Sequence, residues 1–358
     1  MTGTVETRGR RLPGEWEPHE ATIVAWPHNA RDWPGKFPPI RWVYTEIIRQ
    51  VARFEQVLIV VQSSAQEKAA RRALSMAGAD LQFVRFLVRQ TDRSWLRDSM
   101  PAIVAGPDGS RQSIAFSFNA WAKYDDYSLD RRLPAAVAEH LGIPLVPAFH
   151  GGRPVVLEGG AIDTNGRGTL IATEECLLHE SIQVRNPGFT RTDYESVFEE
   201  FLGVTNVVWL GRGIAGDDTH GHVDDLCRFA DERTIVACRE DDSRDVNYSA
   251  LSENAERLRT ARLEDGSTPR IVSLPMPSPV LFDGMRLPAS YANFLVTRGS
   301  VLVPTFNDPN DRRALGILAE VFPGREIVGI HAVDLVWGLG TLHCLSHEIP
   351  AGFQAGPT

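Results

Sequence analysis

The feature that most constrains this chain is a local pattern that recurs along it without recurring as sequence. Leu157-Glu158-Gly159-Gly160 leads into Ala161-Ile162-Asp163, a turn at Thr164-Asn165-Gly166-Arg167-Gly168, and a second apolar run, Thr169-Leu170-Ile171-Ala172. His222-Val223-Asp224 leads into Leu226-Cys227-Arg228-Phe229, turns at Ala230-Asp231-Glu232-Arg233 and returns as Thr234-Ile235-Val236-Ala237. Arg97-Asp98 before Ala102-Ile103-Val104, and Tyr291-Ala292-Asn293 before Phe294-Leu295, do the same, with turns at Gly106-Pro107-Asp108-Gly109 and Thr297-Arg298-Gly299. Turns built of Gly, Asn and Asp between short apolar runs predict hairpins, and each hairpin is approached through a polar loop.

Helical patterns fall between the hairpins. Ser64-Ala65-Gln66-Glu67 has the form of a capping box and predicts a helix ending near Gly78. Thr192-Asp193-Tyr194-Glu195 predicts another, with Val197, Phe198, Phe201 and Leu202 on one face and Gly203 at its end. Asp308 or Asn310 caps a third, stopped by Pro323-Gly324. Short apolar strands follow the last two helices, at Val207-Val208-Trp209-Leu210 and Ile327-Val328-Gly329-Ile330. The unit therefore reads hairpin, helix, strand. It recurs roughly every 50 to 75 residues, and about five copies fit, counting one near Ala21 to Trp26 and a last one around Cys344. One α/β domain over 1–358 is expected, with flexible ends at 1–11 and 351–358. Hairpins grouped about a single axis would bring the polar loops together.

Charge excludes some partners. The formal net charge is -9 and no Lys/Arg-rich run occurs, which argues against a nucleic-acid surface. No apolar stretch approaches the roughly 20 residues a bilayer span needs. The first residues carry charge and glycine without the apolar segment of a secretory leader, so a cytoplasmic setting is expected. The 4 cysteines include no CxxC pair and do not make a disulfide framework. A symmetric homodimer is the default expectation for such an enzyme.

Cys344 lies in Gly338-Leu339-Gly340-Thr341-Leu342-His343-Cys344, where flanking glycines permit a tight turn and polar neighbours surround the thiol; it is the candidate nucleophile. Cys227 and Cys238 sit in strand patterns and read as core, and Cys176, after Glu174-Glu175, also reads as structural. His222 belongs to the densest polar run, Gly216-Asp217-Asp218-Thr219-His220-Gly221-His222-Val223-Asp224-Asp225. A strand beginning near Gly221 would point His222 and Asp224 to the same side. Asp98, between Trp95 and Pro101, reads as a partly buried carboxylate, and Glu158 precedes two glycines at another hairpin mouth. Several carboxylates around a thiol would repel a developing oxyanion, but they would hold a cation such as a guanidinium. The competing reading is a metal-dependent hydrolase with His220, His222 and Asp224 as ligands.

Together these segments resemble the agmatine deiminase and bacterial-type peptidylarginine deiminase family of the pentein, or guanidino-group-modifying, superfamily. The resemblance rests on Pro13-Gly14-Glu15-Trp16-Glu17-Pro18-His19-Glu20, Trp95-Leu96-Arg97-Asp98, Phe118-Asn119-Ala120-Trp121, Glu158-Gly159-Gly160, Asp217 through Asp224, Asn293-Phe294 and His343-Cys344, in that order. It implies a five-bladed α/β propeller and no metal or organic cofactor. It implies Cys344 as nucleophile, His222 as general acid and base, Asp98 and Asp224 on the guanidinium, and Glu158 orienting His222 or joining the carboxylates. For agmatine, Asp218 or a neighbour would accept the distal ammonium and Trp95 would pack on the methylene chain. Met100, His220 and His347-Glu348 depart from the family pattern, which affects the far end of the substrate more than the chemistry.

Overall fold

The computed structural model describes residues 9–352; the outer parts of the expected flexible ends, 1–8 and 353–358, lie outside the described residues. At the inner margin the Arg11 N–H donates to the Ala105 carbonyl at 3.0 Å, and its guanidinium pairs with Glu17 at 2.5 Å.

The architecture is α/β. Among the described residues there are five separate sheets of three or four strands, with two two-stranded ribbons beside them, and none of these sheets closes on itself. Each larger sheet combines an antiparallel pair with a parallel strand reached across a helix. Ala102–Ala105 pairs with Arg111–Ala115, and helix Leu133–Leu141 carries the chain to the parallel strand Leu145–Pro147. Ile162–Thr164 and Thr169–Thr173 are followed by helix Arg191–Leu202 and strand Asn206–Leu210. Cys227–Phe229 and Thr234–Arg239 lead through helix Asn247–Thr260 to Arg270–Pro275. Leu295–Val296 and Ser300–Thr305 lead through Pro309–Val321 to Glu326–His331.

The remaining sheet corrects the unit count at the ends. The N-terminal unit and the one around Cys344 are a single sheet: Ser346–Pro350 pairs antiparallel with His19–Ala25, which runs parallel to Gln56–Val61 and then Val84–Val88. A hairpin whose two strands come from distant parts of a chain leaves no turn to read, so the sequence shows two half-units.

Helix boundaries follow capping chemistry. Phe37–Val51 buries Ile40, Tyr44, Ile47, Ile48 and Val51, one face of a helix, and proline in its first turn suits the fixed φ there. The next helix is capped by Ser63, one residue before the expected Ser64, because Ser63 has the extended backbone a cap needs and accepts from the Gln66 N–H at 3.3 Å. Helix Arg191–Leu202 also starts earlier than expected. Thr190 and Asp193 form its capping box, and Gly203 closes it at φ +70°. Asp308 caps Pro309–Val321, reciprocated by Asp311. Cys227 and Cys238 lie in the apolar core, and all four cysteines are free and buried. Among the described residues no helix is long and apolar enough to cross a membrane.

Candidate active site

The polar residues that precede each hairpin meet in one place. Asp98 lies on the one-turn helix Leu96–Ser99 before strand Ala102–Ala105, and Glu158 leads the turn Gly159–Ala161 before Ile162–Thr164. His222 and Asp224 come just before Cys227–Phe229, Asn293 before Leu295–Val296, and Cys344 before Ser346–Pro350. Each sheet thus offers the residues at the start of its outer antiparallel strand. The expected strand at Gly221 is instead a 3-10 turn, Val223–Asp225. His222 and Asp224 still converge because Gly221, at φ +97°, and the Asp217 carboxylate reshape the loop: Asp217 Oδ2 accepts the Gly221 and His222 N–H groups at 2.7 and 2.9 Å.

Gly160 marks the convergence point. A Cβ built there would stand 2.5 Å from His222 Nδ1, 3.0 Å from Asp224 Oδ2 and 3.0 Å from Asp98 Oδ1. Only a residue without a side chain lets the three groups close in. The Gly160 N–H also donates to Asp98 Oδ1 at 2.9 Å, while Trp121 Nε1 donates to Asp98 Oδ2 at 2.8 Å. Trp121 is delivered by backbone strain. Ala120, Trp121 and Ala122 have φ of 50°, 59° and 52°, a left-handed turn of three non-glycine residues, each costing on the order of 1–3 kcal/mol.

His222 is 1% exposed, with Nδ1 at 3.8 Å from Asp98 and Nε2 at 3.7 Å from Glu158. Burial would lower its pKa, but Asp98, Cys176 and Glu158 outweigh that and hold it well above the usual histidine value. Glu158 is fully buried beside Arg185, whose Nε donates to both carboxylate oxygens at 3.1 and 3.2 Å. Burial alone would raise Glu158; Arg185 and His222 reverse this and hold it at about 2.

The Cys344 sulfur is 3.6 Å from Asp224 Oδ2 and accepts from Asn293 Nδ2 at 3.0 Å. Burial, followed by Asp224, Asp225 and Asp98, pushes the thiol well above its ordinary pKa. Asp98 is raised chiefly by burial, with Asp224 and Glu158 adding to it against His222. A cation entering this site removes the repulsion that keeps the thiol protonated.

Cys344, Asp98, Trp95 and Trp121 line a cavity of about 560 Å³, the size of a small-molecule pocket. His222, Asp224 and Glu158 stand behind that lining. Asp218 is on the outer wall, already paired with Lys123 and accepting from the Tyr124 hydroxyl at 2.7 Å. His220 is not drawn into the cluster; its ring packs edge-on against His179, with centroids 4.9 Å apart. Among the described residues two trios of His, Cys and carboxylate groups approach within 4.8 Å of one another: Glu158, Cys176, His222 and, separately, Asp224, Asp225, Cys344. The proposed ligand trio His220, His222 and Asp224 is neither of these.

Sequence reasoning passed over several participants. Cys176, read as structural, stands beside His222 and Glu158. Arg185 pairs with Glu158, Asp225 accepts from Asn293, His343 bridges Asp224 and Glu15, and Gly160 leaves room for His222, Asp224 and Asp98. Asn293 had a readable signal, since it occupies in its hairpin the place that Cys344 and Asp98 occupy in theirs.

A family model described as Porphyromonas-type peptidyl-arginine deiminase matches residues 11–350. The chain belongs to that family. Its curated relatives include the agmatine deiminase of Stutzerimonas stutzeri, 33% identical over 376 residues and covering 99% of each chain. Among solved structures, the agmatine deiminase of Enterococcus faecalis superposes with a TM-score of 0.89 at 28% identity, covering 99% of each chain. An agmatine deiminase of C. jejuni with substrate bound gives 0.85 at 26% identity, covering 98% of this chain and 100% of that one. Both superpositions extend over nearly the whole length of the α/β architecture.

Proposed function

We propose that this chain hydrolyses small guanidino compounds, agmatine first among them, to a ureido product and ammonia. One observation carries the reading: the candidate nucleophile Cys344 stands among carboxylates, 3.6 Å from Asp224 and in the same cavity as Asp98. That setting suits a cationic electrophile and opposes an oxyanion. The agmatine deiminases among its relatives support the substrate.

In this mechanism Asp98 and Asp224 take the guanidinium N–H groups, and the bound cation lowers the thiol pKa. The Cys344 thiolate attacks the guanidinium carbon and forms the C–S bond. His222, whose pKa Asp98 and Glu158 help to raise, gives a proton to the departing nitrogen; the C–N bond breaks and ammonia leaves. An S-alkylthiouronium remains on Cys344. Neutral His222 then takes a proton from water, the hydroxide adds to the carbon, and the C–S bond breaks to return the sulfur. Agmatine would give N-carbamoylputrescine, a step toward putrescine. Glu158, held as a carboxylate by Arg185, orients His222. Trp95 covers the methylene chain, and a distal ammonium reaches Asp218 by displacing Lys123.

The five sheets are read as blades of the pentein propeller, because each contributes the start of its outer strand to one site. The homodimer and a cytoplasmic setting belong to the same reading, the latter suited to four free thiols. The experiment is a panel of agmatine, free arginine, peptidyl-arginine and simple alkylguanidines, scored for ammonia and ureido product. Agmatine should be preferred and Cys344→Ala inert on every substrate; turnover by that variant overturns the mechanism. Activity should persist in EDTA, and loss restored by zinc would favour a metal-dependent hydrolase.

A further inference from the structure

His343, the neighbour of the candidate nucleophile, is clamped between two carboxylates. Its Nδ1 lies 2.6 Å from Asp224 Oδ2 and its Nε2 lies 2.6 Å from Glu15 Oε1. The ring is 1% exposed, so water does not share these contacts. A nitrogen and a carboxylate oxygen this close need a proton between them. A neutral imidazole supplies one, and two contacts require two. Glu15 does not supply the second, because Arg97 Nη1 stands 2.8 Å from Glu15 Oε1 and Arg228 pairs with its other oxygen. Two protons therefore bridge the Glu15–His343–Asp224 chain.

We propose that Glu15 and His343 are positioning residues that keep Asp224 ionised and aimed at the guanidinium before substrate arrives. This rests on the deiminase reading above. Arg97 and Arg228 hold Glu15 as an anion, Glu15 fixes the His343 ring, and the His343 contact holds Asp224 as a carboxylate. Neither Glu15 nor His343 needs to touch substrate.

The neighbours make such a device necessary. Asp98, Asp224 and Asp225 are all buried near one thiol, and close carboxylates do not all ionise together. Burial pushes Asp98 and Asp225 upward. Burial would raise Asp224 too, but the His343 contact reverses it, so Asp224 alone of the three lies below its ordinary value. The free Oδ1 of Asp224 is buried and accepts no hydrogen bond among the described residues. The charged and titratable groups around the relay are Cys344, His222, Asp98 and Asp225 beside Asp224, Arg97 and Arg228 beside Glu15, and Glu348 and Asp163, which face the two arginines.

The test is agmatine binding to a Cys344→Ala background, with and without Glu15→Gln, by calorimetry from about pH 5 to about pH 9. Loss of the Glu15 carboxylate should weaken binding about 10-fold near neutral pH and move the acid limb of affinity up by about one pH unit. In the chain that retains Cys344, Glu15→Gln should raise KM more than it lowers kcat. His343→Gln must displace the acid limb in the same direction, which keeps the test decisive if Glu15→Gln folds poorly. An acid limb that does not move in the variants overturns the relay, even if activity falls. A Cys344-containing chain that releases no ammonia from any guanidine overturns the deiminase reading instead.

Discussion

The side-chain amide of Asn293 is hydrogen-bonded to the Cys344 sulfur at 3.0 Å. The same nitrogen donates to Asp225 at 3.0 Å, and the amide oxygen accepts from Thr341 Oγ1 and the His343 N–H at 2.8 and 3.0 Å. One buried amide therefore fixes the sulfur, its turn and an adjacent acid. Asn293→Ala strands several of these partners, and each unsatisfied group costs about 1–3 kcal/mol. We expect a lower melting temperature and a fall in kcat of about 10- to 100-fold, checked by thermal denaturation beside steady-state ammonia release.

The empty-site thiol should discriminate between alkylating reagents by charge. Burial and the acids Asp224, Asp225 and Asp98 all favour the protonated form of Cys344. Thiolate therefore accumulates only on the alkaline side, and inactivation by neutral iodoacetamide should be slow near neutrality and climb with pH. A cationic haloacetamidine brings the missing positive charge and should react faster at neutral pH, with a flatter profile. Parallel profiles for the two reagents would contradict this.

Gly160→Ala tests the convergence point. Its Cβ would fall 2.5 Å from His222 Nδ1, so the imidazole or the carboxylates must retreat. Displacements near 1 Å cost about 100-fold in rate. The expected result is a loss of about that size in kcat with a folded protein, measured by kinetics and circular dichroism.

Arg185 and Glu158 give a pH-dependent stability difference. Glu158 is depressed to about 2 against burial, by Arg185 and His222. A depressed carboxyl contributes stability that is fully present above its ordinary value, about 4.5, and lost as pH falls through about 2. Arg185→Met leaves the buried charge uncompensated, a loss of about 3–5 kcal/mol at neutral pH. The gap between the two proteins in urea denaturation should be largest at neutral pH and narrow as the medium is acidified below about pH 4.5. A gap that widens on acidification contradicts the assignment.

Much of this was legible in the sequence because local chemistry carried it. Turn residues at Asn165-Gly166 and Asp108-Gly109 announced hairpins, and Gly203 announced a helix end; the structure has all three. Asp98, Glu158, His222, Asp224, Cys344 and Trp95 were singled out, and the fold brings them together. What stayed hidden depends on distant partners. Glu15 meets His343 from the far end of the chain, and Arg185 meets Glu158 through a loop with no periodicity. Asp218 read as a free acceptor because its neutralisation by Lys123 is a tertiary fact. The strand expected at Gly221 failed for a related reason: a carboxylate, Asp217, ties that backbone into a loop.

Each of Asp98, Glu158, Asp224, Asn293 and Cys344 precedes the outer strand of a different sheet. The reacting geometry is thus a joint property of five separately hydrogen-bonded units. A fluctuation that opens any one of them removes a member of the site while leaving the other four sheets intact. Enzymatic activity should consequently fade at lower denaturant than the helical signal, and the turnover rate becomes the most sensitive gauge of whether the whole chain is assembled.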